Sequence, residues 1–156
     1  TGSHLLTRVE DALWTAKRRK AQVGVVALYL DNLYEPLEGD DRSSEYQILV
    51  AMAARIRRAA GFRCLVGIYH PRCFIVVITL DADRQAFAAA LNRLRAYVGE
   101  SIDLLGTDRG PRRFVPRVGM GVVVTDAADA LARVLLDEAE QEARASVPAE
   151  EVDTQY

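Results

Sequence analysis

Apolar residues recur at helical spacing near the start of the chain, at Leu6, Val9, Leu13 and Ala16, and the stretch closes on Lys17-Arg18-Arg19-Lys20. That period predicts a helix over Leu5–Lys20, with the basic run complementing the dipole at its end. VGVVALYL (Val23–Leu30) is apolar without a break. Its length and β-branched content predict a strand covered on both faces. A polar connection with Pro36 and Gly39 follows. Ser43 or Ser44 can cap a second helix. Leu49, Met52, Ala53 and Ile56 would face its core, Arg55, Arg57 and Arg58 would face water, and Gly61 would stop it.

Two apolar runs then flank His70-Pro71-Arg72, within LVGIYHPRCFIVVITL (Leu65–Leu80). They predict a hairpin with buried arms and an exposed tip. Asp81 to Asp83 offer a cap for a helix with Phe87, Leu91, Leu94 and Val98 inward, closed by Gly99. Residues 101–113 read as a loop or small excursion. Phe114–Thr125 is a strand with Met120 in the core, and its two glycines permit close backbone approach. Asp126 would cap a last helix with Leu131, Val134, Leu135 and Ala139 inward. The order α-β-α-β-β-α-β-α predicts an α/β (α+β) fold: a mixed central sheet flanked by helices, built on a ferredoxin-like core.

The 156 residues suit one domain with a real core. A net charge of −2 gives no bulk attraction to nucleic acid or to anionic membrane. No apolar run is long enough to span a bilayer. Thr1-Gly2-Ser3-His4 reads as a cloning remnant, residues 5–145 as the domain, and the acidic stretch 146–156 as a linker stub into a further domain. Cys64 and Cys73 bracket the hairpin tip without facing each other, so they are read as buried free thiols, and an intracellular location follows.

The element order, with a buried hairpin after the second helix, resembles the GGDEF domain of diguanylate cyclases over nearly the whole chain. YLDNLY (Tyr29–Tyr34) falls on that family's Asp-x-Asp-x-Phe-Lys, and IYHPRCF (Ile68–Phe74) on its Arg-Tyr-Gly-Gly-Asp/Glu-Glu-Phe hairpin. The interval from Leu49 to His70 fits the family spacing without a gap. RVGMG (Arg117–Gly121) falls near the Ser-x-Gly strand. LDEAEQEAR (Leu136–Arg144) falls on Ala-Asp-x-Ala-Leu-Tyr-x-Ala-Lys and keeps Asp137, Ala139 and Ala143.

The resemblance implies a reaction joining two GTP molecules into cyclic di-GMP with two Mg²⁺ ions, which need hard oxygen ligands. The family's first carboxylate falls on Tyr29 and its hairpin carboxylate on Arg72; only Asp31 remains. The guanine-reading Asn and Asp fall on Leu37 and Tyr46. The two hairpin glycines fall on His70 and Pro71, which add bulk, and Pro71 has no N–H to donate. Cys73 and Phe74 complete the altered motif, and the phosphate-contacting Lys becomes Arg144. The Arg-x-x-Asp inhibitory product site falls on Gly61 and Cys64, with Arg63 nearby but no acid three residues on.

The expectation is a degenerate GGDEF domain with no catalytic residue, no metal ligand, no nucleotide-binding residue and no cofactor. Its work would be regulatory, within a cyclic di-GMP signalling protein in the bacterial cytoplasm that can itself be membrane-associated. Partners would be an EAL phosphodiesterase or sensor domain of the same protein, or a second copy, with His70 and Arg72 as candidate contact residues. No nucleic acid or membrane contact is expected of this fragment. The bland reading of His70 and Arg72 is a solvated turn, and that of Tyr29 and Tyr46 is core filling. Three alternatives stand beside it. One is a sensor binding GTP or cyclic di-GMP in a non-standard mode. Another is an unusual nucleotide cyclase using Asp31 with Asp40 or Asp41. The last is an RNA-binding sheet, which the missing aromatic strand pattern disfavours.

Overall fold

The computed structural model describes residues 2–34, 42–61, 64–80, 84–106 and 110–148. Leu37, Asp40, Asp41, Arg63, Asp81 to Asp83 and the end of the acidic stretch lie outside them. The elements are α1 (Gly2–Arg18), β1 (Gln22–Leu30), α2 (Arg42–Ala60), β2 (Leu65–His70), β3 (Cys73–Leu80), α3 (Arg84–Tyr97), β4 (Ile102–Leu104), β5 (Arg112–Phe114), β6 (Val118–Asp126), a 3₁₀ turn (Ala127–Asp129) and α4 (Ala132–Ala145).

Four strands form one sheet in the order β2-β3-β1-β6. Every pairing in it is antiparallel, where the sequence reading had a mixed sheet. The reason is topological. The α2 crossover sets β1 and β2 in the same direction, but β3 inserts between them; β3 and β6 are likewise separated by β1. The ferredoxin-like α+β architecture therefore stands, with no parallel neighbours in it.

β1 is the axis of the molecule, and Val23 and Val25–Leu30 are all buried. Val23, Val25, Ala27 and Tyr29 point to one face, covered by α1 and α4. Val26, Leu28 and Leu30 point to the other, covered by α2 and α3. Burial on both faces is why the run lacks polar alternation. Where the sequence reads as a loop or excursion, β4 and β5 pair antiparallel, with Ile102 opposite Phe114 and both in the α2/α3 core.

Some helix faces turn differently from expectation. On α2, Ile48 joins Met52 and Ile56 in full burial, while Leu49 and Ala53 are half-buried. On α4, Leu135, Leu136, Ala139 and Ala143 are buried, while Leu131 and Val134 are exposed. The shift follows from where the helix starts. Asp126 makes no side-chain cap; it precedes the 3₁₀ turn, and α4 begins only at Ala132. Among the described residues no helix is long and apolar enough to cross a membrane.

α4 lies directly on β6 because two glycines admit it. A Cβ at Gly119 would stand 1.9 Å from the Ala143 carbonyl oxygen, and one at Gly121 2.3 Å from that of Ala139. Both obstacles are backbone and cannot rotate away. Ser146 then closes the end of the helix, its hydroxyl donating to the Met120 carbonyl and accepting from the Met120 N–H, each at 2.9 Å.

We expect Gly119→Ala and Gly121→Ala each to destabilise the fold by about 3 kcal/mol. Gly99→Ala, where an added Cβ meets nothing within 4 Å, should stay within about 0.5 kcal/mol of the parent. Urea denaturation followed by circular dichroism reads the difference, and equal midpoints for the three variants would contradict the packing.

Candidate functional site

Of the residues matched to the altered motif, Tyr29, Asp31, His70, Pro71, Arg72, Cys73 and Arg144 gather where β1 ends, and Leu37 lies outside the described residues. Tyr29 pairs with Cys73 on β3 and with Gly119 on β6. Facing residues of antiparallel strands share a side of the sheet. Tyr29 and Cys73 therefore meet the C-terminal half of α4, and Tyr29 is only 6% exposed. It is the core filler that the sequence suggested.

Arginines hold the ring from two elements. Arg72, at the hairpin tip, sets its guanidinium carbon 5.2 Å from the Tyr29 ring centre and 5.6 Å from that of Tyr34. Arg144, at the end of α4, comes to 4.8 Å of the Tyr29 ring centre. Arg72 is thus half-buried over two aromatic faces, not a freely solvated turn residue. Cation–π attraction accounts for the placement. The tip is also clipped to β1 through its backbone, the Leu30 N–H donating to the Arg72 carbonyl at 2.7 Å. Pro71 and Arg72 make the turn, and Phe74 is fully buried on the opposite face among the α2/α3 residues.

Behind this layer lies a buried carboxylate that sequence reasoning missed. Glu140 falls where the helix motif has Leu, and it is 8% exposed. Its Oε2 is 3.5 Å from His70 Nε2 and its Oε1 3.7 Å from Arg144 Nη2; Oε1 accepts no hydrogen bond among the described residues. His70 is exposed, yet it leans on the Tyr69 ring with centres 4.2 Å apart and faces Glu140. Burial first, and the Glu140 charge second, push the Cys73 thiol far above the usual thiol range. A thiol so hard to ionise is a packing group, not a nucleophile. Cys64 is half-buried, donates to the Ala60 carbonyl at 3.1 Å, and is also raised by burial. Both thiols are free.

Asp31, the one acid kept from the strand motif, is already engaged. Arg117 holds it in an ion pair, with Nε 3.1 Å from Oδ2 and Nη2 on the same oxygen, and the Asp31 N–H donates to the Arg117 carbonyl at 2.9 Å. Asn32 fixes the loop that carries this arginine. Its Nδ2 donates to the Val115 carbonyl at 2.9 Å, and its Oδ1 accepts from the Arg117 N–H at 2.8 Å. No local pattern in the sequence signals these contacts, since their partners lie more than eighty residues apart. Tyr46 is 70% exposed, so it does not fill the core. Its place in the first turns of α2 points it to solvent, while Ile48 takes the inward position.

Chemically, the described residues at the end of β1 present the guanidinium groups of Arg72, Arg117 and Arg144, an imidazole and a phenol. Of their carboxylates, Asp31 is paired and Glu140 is buried. Among the described residues, no three His, Cys, Asp or Glu side chains come together in a way that could hold a metal ion. A hollow of about 510 Å³ lies on the α3 side, walled by Asn32, Val98, Pro116, Arg117 and Met120, apart from the hairpin tip.

The hairpin is moored to α4 by the Tyr69 hydroxyl, which donates to Asp137 Oδ1 at 2.7 Å. Burial and then this hydrogen bond raise the Tyr69 phenol to about 12. A proton held more tightly in the fold than in the open chain adds stability that is complete below about pH 10 and is lost as pH rises through about 12. Ultraviolet titration should therefore show a late phenolate step near pH 12 that Tyr69→Phe removes. If all phenols ionise together near pH 10, the mooring is absent.

No family model matches the sequence, and no curated protein matches it. Solved structures do match its fold. A sensory box/GGDEF family protein from Caulobacter crescentus is 20% identical, with 91% of this chain and 88% of that chain covered and a TM-score of 0.73. The GGDEF domain of FimX from Pseudomonas aeruginosa is 19% identical, over 92% of this chain and 86% of that one, with a TM-score of 0.72. The GGDEF domain of DgcB from Caulobacter crescentus, solved in complex with c-di-GMP, is 15% identical over 90% and 80%, with a TM-score of 0.70. At such identities the likeness speaks for architecture alone: this chain has the GGDEF-domain fold.

Proposed function

We propose that this chain is a non-catalytic regulatory module of a cyclic di-GMP signalling protein, acting through contacts with an adjoining EAL phosphodiesterase or sensor domain or with a second copy. One observation carries the reading: the Arg72 guanidinium stands over the Tyr29 ring, and both residues occupy positions where the fold's cyclases are expected to hold carboxylates. A divalent cation about 5 Å from one guanidinium would meet roughly 7 kcal/mol of repulsion at an effective dielectric of 20, before solvent screening. Among the described residues, Asp31 is the acid left to offset this, and it is already paired with Arg117.

The backbone supports the same reading. A phosphate-binding turn needs N–H groups on an open surface, and here Pro71 supplies none while His70 is drawn toward Glu140. What the tip offers instead is a fixed, mostly cationic contact surface of His70, Pro71 and Arg72, suited to an acidic patch on a neighbouring domain. We place the module in the bacterial cytoplasm.

Incubating the protein with GTP and Mg²⁺ should form no cyclic dinucleotide above the protein-free blank, and calorimetry with GTP should show no heat that depends on Mg²⁺. Product that scales with protein concentration would overturn the reading. Mg²⁺-dependent binding without turnover would replace it with that of a nucleotide sensor.

A further inference from the structure

α1 turns a large aromatic residue to solvent. Trp14 is the chain's one tryptophan, and it is 63% exposed while Leu5, Val9, Leu13 and Ala16 of the same helix are buried. An indole left in water forgoes the burial that makes this side chain a strong contact group. Beside it lies a hollow of about 270 Å³, which reaches from Glu10, Leu13 and Lys17 on α1 to Ala128, Leu131 and Ala132 at the 3₁₀ turn and the start of α4. Leu131 is 70% exposed, and it lines a second hollow together with Val124 and Val134, both exposed. The apolar surface therefore continues from α1 past the start of α4 to β6.

The charges around Trp14 have a symmetry of their own. Glu10 and Asp11 precede it by four and three residues, and Lys17 and Arg18 follow it by three and four. All four are exposed. At the helical turn angle, Glu10 and Lys17 fall about 40–60° to one side of Trp14, and Asp11 and Arg18 about 40–60° to the other. Along one helix, the acid and the base on each side stand about 10 Å apart, too far to pair with each other. Against a second α1 running the opposite way, with the two Trp14 side chains at the crossing, the charges match. Glu10 then meets the other copy's Lys17, and Asp11 the other copy's Arg18. A parallel pair would instead set acid against acid and base against base. The face is thus self-complementary under a two-fold axis that reverses the helix, the symmetry of a closed dimer.

We propose that the Trp14 face of α1 is a homodimer interface, in which two copies pair their α1 helices antiparallel. Each indole would lie over the hollow of the other copy, against its Leu131, with the acid–base pairs around the contact. Tryptophan is a frequent anchor of interfaces, while charges at the rim fix orientation more than they add affinity. A contact built on one helix is small, so the dimer is a weak one that forms in the micromolar range. An anionic membrane suits the face less well, because Glu10 and Asp11 flank the indole as closely as the basic pair does. The inference rests on the regulatory reading only in naming the surface that a second copy would use. It is tested by mass and fluorescence without nucleotide, and that reading by turnover, so the failure of one is distinct from the failure of the other.

Sedimentation equilibrium of the whole chain at low salt should show an apparent mass that climbs toward twice that of the monomer as concentration rises through the micromolar range. Emission from Trp14, the one indole in the chain, should move to shorter wavelength over the same range as the ring leaves water. Trp14→Ala should raise the dissociation constant at least about tenfold. Tyr97→Ala, which removes an exposed aromatic from α3, should associate as the parent does. The charge pattern gives the sharper test. Glu10→Lys/Asp11→Lys and Lys17→Glu/Arg18→Glu should each remain monomeric alone, since like charges then meet across the axis, and should associate when mixed one to one. Recovery in the mixture also shows that neither variant had lost its fold. A parent chain that stays monomeric, charge variants that associate alone as well as the parent, or a Trp14 shift that appears only on adding phosphatidylserine vesicles would overturn the interface.

Discussion

Tyr29 stands at the end of the strand on which both helical layers pack, and Arg72 and Arg144 reach its ring from the hairpin tip and from the last helix. Each contact is worth about 1 kcal/mol by itself, a small sum in a folded domain. Its consequence is positional. The ring joins β1, the β2–β3 turn and α4 at one point, so the hairpin tip cannot open without releasing the helix end. The two glycines of β6 make this possible, because they bring α4 near enough for Arg144 to arrive over the phenol. The same feature that anchors the fold also sets the electrostatic sign of its most conspicuous surface.

The buried Glu140 is the counterweight. A carboxylate out of water is costly unless a cation or a donor stands near it; Arg144 Nη2 lies 3.7 Å from Glu140 Oε1 and His70 Nε2 3.5 Å from its Oε2. Glu140, His70 and Arg144 therefore form one polar cluster, with Tyr69 and Asp137 holding its flank. Charge that a catalytic site would direct at a substrate is turned inward, to pin the hairpin against α4. Rigidity of this kind suits a surface that another domain reads.

Much of this was legible in the chain. The unbroken run Val23–Leu30 announced a strand buried on both faces, and the two arms around Pro71 announced the hairpin. Both patterns rest on burial, which local composition reports directly. The direction of neighbouring strands was not legible, because it depends on β3 entering between β1 and β2 after the crossover. The inward face of α4 was misjudged by starting the helix at Asp126: Leu131 and Val134 fit the period but lie on its exposed side. Tyr46 looked like a core residue because it stands where a base-reading acid is expected, yet its helix position faces water. Glu140 could have been found, since it follows the inward Leu136 by four residues. Arg117 and Asn32 could not, because their contacts join segments distant in sequence.

The central claim, that a guanidinium and a phenol hold the places of metal-binding carboxylates, is tested most directly by paramagnetic broadening. Mn²⁺, a close stand-in for Mg²⁺, would be added with GTP to isotope-labelled protein, and the resonances of Leu30, Asp31, His70 and Arg72 followed. The account predicts that these signals keep their line widths at metal concentrations that saturate an ordinary two-metal nucleotide site. Selective broadening centred on the end of β1 and the hairpin tip would contradict it.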